Sequence, residues 1–350
     1  MNYYISRNYK GLNSAGNKAK SDIEGIAKRK CRFRNAGLPL STHTNTIAHF
    51  LLNLIGVLKA PFIIGKGDIL LLQYPLKKYY AFACNMAHLR GAKVVTVIHD
   101  LGSFRRKALT TEQEIARLNH SDWVIAHNDK MKKWLSDNGC KARLSTLGIF
   151  DFVSDAPQPA SGIEQSESEQ NKGTRKFTVV YAGALAQRKN AFLYEWGEHI
   201  STYGVALYGS NFDITQVKGK EHFKYHGFVK SDTFISEVKG DFGLVWDGAS
   251  TESCTGNFGE YLKLNNPHKT SFYLRSGLPV IIWRQAALAD FVSSHGVGIC
   301  IDSLNELNDI LSNITSDEYR KMKENAVCES RKLQDGYYAS TAIEEAISQL

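Results

Sequence analysis

Short apolar runs alternate along most of the chain with segments in which apolar residues recur every three or four positions. Strands separated by crossover helices produce this pattern, so it predicts parallel α/β architecture. In the first half it predicts strands over residues 2–6, 68–74, 93–99, 123–126 and 142–146; a second series covers 177–182, 205–208, 223–225, 242–246, 280–283 and 298–301. Between the series, residues 154–172 are dense in Ser, Pro, Glu and Gln and have little to bury, which marks a linker or long surface loop. The expected organisation is a domain over 1–153, a connection over 154–175, a second domain over 176–330, and helices over 331–350 that pack back on the first domain. At 350 residues the chain is longer than one core usually serves, and its 43% apolar content is ample for two. Two doubly wound domains offer one natural ligand site, the cleft between the carboxyl ends of their strands.

Residues 47–65 (IAHFLLNLIGVLKAPFIIG) are the most lipid-like of the chain, yet His49, Asn53, Lys59 and Pro61 interrupt them. A spanning helix of about 20 apolar residues is therefore not supported. Ile47, Phe50, Leu51, Leu54, Ile55 and Leu58 recur at helical spacing, which suits a buried or an interfacial helix; amphipathic helices are first of all core-facing, so a core helix is expected. The opening MNYYISRNY has polar residues where a signal peptide carries its apolar run.

The formal net charge of +8 conceals a division. Residues 1–150 hold 24 Lys and Arg against 9 Asp and Glu, a net +15, and the remainder holds 19 against 26, a net −7. A positive half points to phosphate on nucleic acid, an anionic membrane or a phosphorylated substrate, beside the plainer reading of a soluble basic domain. The six cysteines are scattered, with no Cys-x-x-Cys pair and no histidine cluster nearby, which argues against a zinc site and a disulfide scaffold and for a reducing compartment.

In doubly wound folds the chemistry sits on loops that follow strands. Tyr181-Ala182-Gly183-Ala184-Leu185 ends a predicted strand and leads through Arg188 and Lys189 into a helix, which suits phosphate because helix N-termini offer free N–H groups. It carries neither the P-loop nor the dinucleotide fingerprint. Asn265-Asn266-Pro267-His268-Lys269-Thr270-Ser271 precedes an apolar helical stretch and the strand LPVIIW; Asn266 suits the N-cap and Pro267 the first helical position. Lys269 then falls in the first turn, where a cation opposes the helix dipole by roughly 0.3–1 kcal/mol. A bound anion reverses that penalty, whereas a solvated lysine on an ordinary capped helix needs no ligand. Gly11-Leu12-Asn13-Ser14-Ala15-Gly16-Asn17 opens the first helix with two glycines that permit close backbone approach. His99-Asp100 ends a predicted strand, and Asp100 is either a general base or the cap of the next helix, the base being favoured. No Asp-x-Asp occurs, so the two-carboxylate grip on a metal-bound nucleotide diphosphate is missing; Lys269, Arg188 and helix N-termini are left to stabilise a leaving group.

The strings GLVWDG, GEYLKLNNPHKTSFYLRSGLPVIIW, AALADFV and GVGICI, with the opening MNYYISRNYKGLNSAGNKAKSDIE and the strand VVTVIHDLGSFR, resemble bacterial GT-B glycosyltransferases of the β-1,6-galactofuranosyltransferase type. Relatives of that group include glucosyltransferases that extend glycans on streptococcal adhesins. The resemblance implies two Rossmann-like doubly wound α/β domains facing a central cleft, the acceptor-side domain over 1–153 and the nucleotide-sugar domain over 176–330. It implies transfer of a hexose, galactofuranose before glucose, from a UDP-sugar without a metal or other cofactor. By the same resemblance Asn266 to Ser271 hold the diphosphate with Asn265 beside them, and Lys269 neutralises it. Phe228 lies near the base, Gly183 and Arg188 near the phosphates or ribose, and Asp247 and Tyr261 along the sugar pocket, while Gly16 and Asn17 close over the donor. Glu252 and Glu260 share the Glu-x7-Glu spacing of many retaining GT-B enzymes, but out of register with the following Gly-x-Pro-Val strand entry. An inverting displacement is therefore expected, with Asp100 as base and His99 second.

The implied reaction is sugar transfer to a glycan or lipid-linked saccharide in cell-surface polysaccharide assembly. The enzyme is expected in the cytoplasm, its basic half touching the anionic inner membrane face peripherally. A UDP-sugar epimerase of similar build is the second reading. A nucleic-acid-binding protein is the third, disfavoured because no aromatic platform interleaves the basic residues and no helix-turn-helix or RNA-binding signature occurs. The oligomeric state stays open, a homo-oligomer included.

Overall fold

The computed structural model describes residues 1–7, 9, 15–76, 79–105, 108–159 and 176–350. Among them, twelve strands form two six-stranded sheets in which every pairing is parallel. The first sheet holds β1 (Asn2–Tyr4), β2 (Arg34–Asn35), β3 (Ile69–Tyr74), β4 (Lys93–Ile98), β5 (Trp123–Ala126) and β6 (Arg143–Thr146). The second holds β7 (Thr178–Ala184), β8 (Gly204–Ser210), β9 (Phe223–Tyr225), β10 (Phe242–Val245), β11 (Val280–Trp283) and β12 (Gly298–Ile301). Runs such as Ile69–Tyr74 (ILLLQY) and Val280–Trp283 (VIIW) are buried along their whole length, as strands covered by helices on both faces must be.

The chain divides into two units, residues 1–153 with 335–350, and residues 154–334. In the first unit the strand order is β2-β1-β3-β4-β5-β6, so the order reverses between β1 and β3. β2 was not legible as a strand, being two residues long and pairing only Tyr3 with Arg34 and Tyr4 with Asn35. Part of the core joins Ile23, Ile26 and Ala27 of the helix Ala15–Arg29 to Ala339, Ala342, Ile343 and Ala346 of the helix Tyr337–Ser348, over Leu71, Val95, Val97 and Ile125. Gly336 makes that approach tight: its φ is +75°, and a Cβ there would stand 2.5 Å from Ile26. Asp151 accepts the N–H groups of Tyr338 and Ala339 at 3.2 and 2.7 Å, tying the start of the helix down.

The second unit has the order β12-β11-β10-β7-β8-β9, the 3-2-1-4-5-6 arrangement of a Rossmann sheet read from its other edge, with the reversal between β7 and β10. Of the segment read as a linker, residues 160–175 lie outside the described residues. Its beginning is held to this unit: Ser154 N–H donates to Gln334 at 2.8 Å, and the buried Arg275 guanidinium donates to the Ala156 carbonyl at 2.6 Å.

The expectation of a core helix over 47–65 is overturned. A helix does form at Thr46–Lys59, started by Asn45, whose side chain accepts from the N–H groups of Ile47 and Ala48. Its buried residues are Asn53, Gly56 and Val57, whereas Ile47, Phe50, Leu51, Ile55 and Leu58 are exposed. Gly56 decides which side faces inward: a Cβ there would already touch the Leu38 backbone at 3.4 Å, so the helix lies on that backbone through its smallest residue. Periodicity locates an apolar face but does not say what covers it.

Candidate active site

In an open parallel sheet the crevice for ligands lies outside the carboxyl ends of the strands where their order reverses. In the second unit that point is the end of β7 and β10. Gly243 in β10 leaves room for the Tyr273 ring, which a Cβ would overlap at 2.2 Å, so the helix His268–Arg275 packs down on the sheet. Tyr273 Oη then accepts the Ala182 N–H at 2.7 Å, which pins the end of β7 to the helix.

Lys269 lies in the first turn of that helix. Its Nζ donates to Tyr181 Oη at 2.7 Å and to Asp247 Oδ1 at 3.3 Å, and stands 4.0 Å from the centre of the Tyr181 ring. Gly183, with φ +143°, gives the side chain its path, because a Cβ there would meet Lys269 Cε at 3.2 Å. The lysine is thus neither a solvated surface group nor dependent on a ligand alone for neutralisation; Asp247 shares that task. The Lys269 and Asp247 side chains are 18% and 13% exposed. Burial pulls the Lys269 pKa below its ordinary value, Asp247 opposes this, and Lys189 adds to it. An under-solvated cation of this kind gains from an anion arriving on its open side.

The helix start differs from expectation. The N-cap is Pro267, with extended backbone and no side-chain capping bond, and not Asn266, which is buried one position earlier. The ring locks φ near the helical value, so Pro267 takes the half-in position without supplying an oxygen. Pro267 thus leaves the cap position without a side-chain acceptor, at a helix end whose dipole favours an anion. Asn265 Oδ1 and Thr270 Oγ1 are buried here without a hydrogen-bond partner, although such atoms are normally paired. His268 and Ser271 complete the segment, half-buried and buried.

Around this centre, Arg188 is exposed in the turn after β7, and Lys189 lies over the Phe258 ring at 5.2 Å. Phe228, after β9, is 62% exposed, and Gly227 beside it accepts the Gly209 N–H at the end of β8 at 2.8 Å. Tyr261 is buried in the short helix Gly256–Tyr261. Glu252 and Glu260 are engaged apart from each other: Glu252 accepts from Asn305 and Ser303, and Glu260 pairs with Lys263 at 2.8 Å.

The first unit has its own cluster, at the carboxyl ends of β1, β3 and β4. The Gln73 amide nitrogen donates to the Lys20 carbonyl at 3.2 Å and to Glu24 Oε1 at 3.4 Å, so its Oε1 accepts from His99 Nε2 at 2.7 Å. That bond puts the proton on Nε2 and the lone pair of neutral His99 on Nδ1. The ring stacks on Phe150 with centroids 5.3 Å apart, and His127, held neutral by burial that lowers its pKa to about 3, meets the same ring edge-on. Glu24 is buried, accepts from Ser6 and Tyr9, and is raised by burial to about 7 against the pull of those bonds and of Arg7. Asp100 is half-buried beside His99. In the short helix that follows, Glu114 accepts the N–H groups of Gly102 and Ser103 at 3.0 and 2.7 Å. Gly16 and Asn17 stand in the first turn of the helix Ala15–Arg29, with Gly16 exposed; Gly11 to Ser14 lie outside the described residues. Tyr181, Lys189, Glu24 and Gln73 were not singled out from sequence as site residues. Their partners are distant along the chain; Tyr181 and Lys189 were visible only as members of the β–α loop read as suited to phosphate, and Glu24 and Gln73 carried no signal.

Residues 2–149 match the N-terminal domain model, and residues 179–346 the C-terminal domain model, of the glucosyltransferase 3-like family. The chain belongs to the glucosyltransferase 3-like family. Among relatives, it is 33% identical over 287 residues to the β-1,6-galactofuranosyltransferase WbbI of Escherichia coli (81% of this chain, 80% of WbbI). It is 25% identical over 295 residues to glucosyltransferase 3 of Streptococcus gordonii (82% of this chain, 81% of the relative). In fold it is similar to HepE of Anabaena, solved in complex with UDP, at TM-score 0.63 and 15% identity over all of both chains. The two doubly wound units are those of GT-B glycosyltransferases, and membership of this family removes the epimerase and nucleic-acid readings.

Proposed function

We propose that this glucosyltransferase 3-like family member moves a hexose from a UDP-sugar to a glycan acceptor, with galactofuranose favoured and glucose the other donor sugar. The carrying observation is Lys269, laid over Tyr181 beside Asp247 in the first turn of a helix begun by Pro267, where the strand order reverses between β7 and β10. In this reading the N–H groups of that helix and Lys269 take the diphosphate, with Asn265 to Ser271 around it and Gly183 and Arg188 alongside. Phe228 offers an open aromatic face to the base, and Asp247 and Tyr261 border the sugar. Among the described residues no three His, Cys, Asp or Glu side chains gather as a metal site, and the reading needs none: as the bond from the anomeric carbon to phosphate breaks, the negative charge gathering on UDP meets a cation and helix dipole already in position.

On the acceptor side Asp100 removes the hydroxyl proton as the oxygen attacks, inverting the anomeric carbon. His99, its tautomer set by Gln73, is the neighbouring alternative. The acceptor is a lipid-linked saccharide of cell-surface polysaccharide, met in the cytoplasm at the inner membrane face; the six free cysteines accord with a reducing setting. The test is thermal stabilisation by UDP, GDP, ADP and NAD in EDTA, followed by UDP release with and without acceptor. UDP at 100 times its dissociation constant adds about 2.7 kcal/mol. Stabilisation by UDP alone and acceptor-dependent release are expected; no shift with any nucleotide overturns the donor site.

A further inference from the structure

Nine of the seventeen large apolar side chains exposed among the described residues fall between Leu40 and Phe82. Five of them, Ile47, Leu51, Ile55, Leu58 and Phe62, are spaced by three or four residues along the helix Thr46–Lys59 and the turn that continues it. They form one stripe about 20 Å long at 1.5 Å per residue. Ile47 is 70% exposed and Phe62 87%. Scattered exposed apolar residues are ordinary, but a contiguous stripe of this size marks a surface that something covers.

Charge identifies what covers it. From Gly25 to Gly67 there is no Asp or Glu, while Lys28, Arg29, Arg32, Arg34, Lys59 and Lys66 are all exposed; Lys30, also exposed, pairs with Asp335. Asp68, the next carboxylate, is occupied by the Met1 ammonium at 2.5 Å. An apolar helix face within a segment that is cationic throughout fits a surface that is apolar inside and anionic at its rim. No helix among the described residues is long and apolar enough to cross a membrane, so the fit is to lying on one. We propose that the Ile47–Phe62 stripe seats on an anionic lipid bilayer, the apolar side chains entering between the acyl chains and the lysines and arginines meeting the headgroups. This deepens the proposed function and rests on its lipid-linked acceptor for purpose, but its test reads binding alone.

The full chain is floated with phosphatidylglycerol-containing vesicles and with pure phosphatidylcholine vesicles. It is expected to float with the anionic vesicles, less at high salt. The double variant Leu51→Ser/Ile55→Ser is expected to bind at least about tenfold more weakly, and Lys59→Ala about fivefold more weakly, from about 1 kcal/mol per basic residue. Both variants are expected to melt as the parent does and to keep its stabilisation by UDP, so loss of flotation is separable from misfolding and from failure of the donor site. Absence of flotation in the parent, or undiminished flotation of the double variant, overturns the proposal. So does a parent that does not float and sediments as an oligomer that Leu51→Ser/Ile55→Ser dissociates, for then a second copy covers the stripe.

Discussion

The basic half of the chain buries a carboxyl at its switch point, and the acidic half buries a lysine. Residues 1–150 carry a net +15, yet the ends of β1, β3 and β4 enclose Glu24; residues 151–350 carry −7, yet the end of β7 is crossed by Lys269. Net charge acts at long range, on encounter and on extended surfaces. The sign of a site is set by the few groups the fold takes out of water together: Glu24 with Ser6, Tyr9 and Gln73 in the first unit, Lys269 with Tyr181 and Asp247 in the second.

The largest expected effect tests the base. Asp100→Asn is predicted to lower kcat by about 10²–10⁴-fold while leaving stabilisation by UDP intact; an active Asp100→Asn beside an inactive His99→Ala moves the role to the histidine. Next comes Lys269→Ala, predicted to cost about 10²–10³-fold in turnover and, unlike Asp100→Asn, to weaken stabilisation by UDP. Unchanged turnover would dissolve the contrast between the two switch points. Phe228→Ala should weaken UDP binding about fivefold through lost stacking, measured by titration calorimetry.

The smallest effect is a slope. In the fold Glu24 keeps its proton up to about pH 7, against about 4.5 in the unfolded chain. Between those values the native state holds the extra proton, so this group's contribution to stability is full below about 4.5 and declines as pH rises toward 7. Asp22 and Asp151, raised by burial to about 6 and 7, act in the same direction. Melting temperature followed over that interval should fall less steeply in Glu24→Gln; an equal slope would mean that Glu24 is ionised in the fold.

Much of the frame was legible because it is periodic. β5, β9, β11 and β12 begin and end where the apolar runs do, and β3, β4 and β6 within a residue. What escaped lacks a period. β2 is too short to have one, and the helix Thr46–Lys59 has one whose solvent side no periodicity reveals. At the site, the segment around Lys269 was visible from its loop-to-helix chemistry. Its pairing with Asp247 and Tyr181 spans 22 and 88 positions and exists only once β7, β10 and the helix have met. The same holds for Glu24, Gln73 and His99, three residues on three elements that read singly as an ordinary helix carboxylate, a strand amide and a strand-end histidine.

The helix Tyr337–Ser348 gives the chain an unusual order of completion. Domains generally fold as they leave the ribosome, the N-terminal one first. Here the N-terminal unit's core takes Ala339, Ala342, Ile343 and Ala346 from beyond residue 334, so its sheet waits with that face uncovered while the whole of residues 154–334 is made. That unit closes only after the other has been made. A nonsense change between Gly336 and Ala339, which removes all four of these residues, would therefore uncover the core of the first unit while leaving residues 154–334 whole.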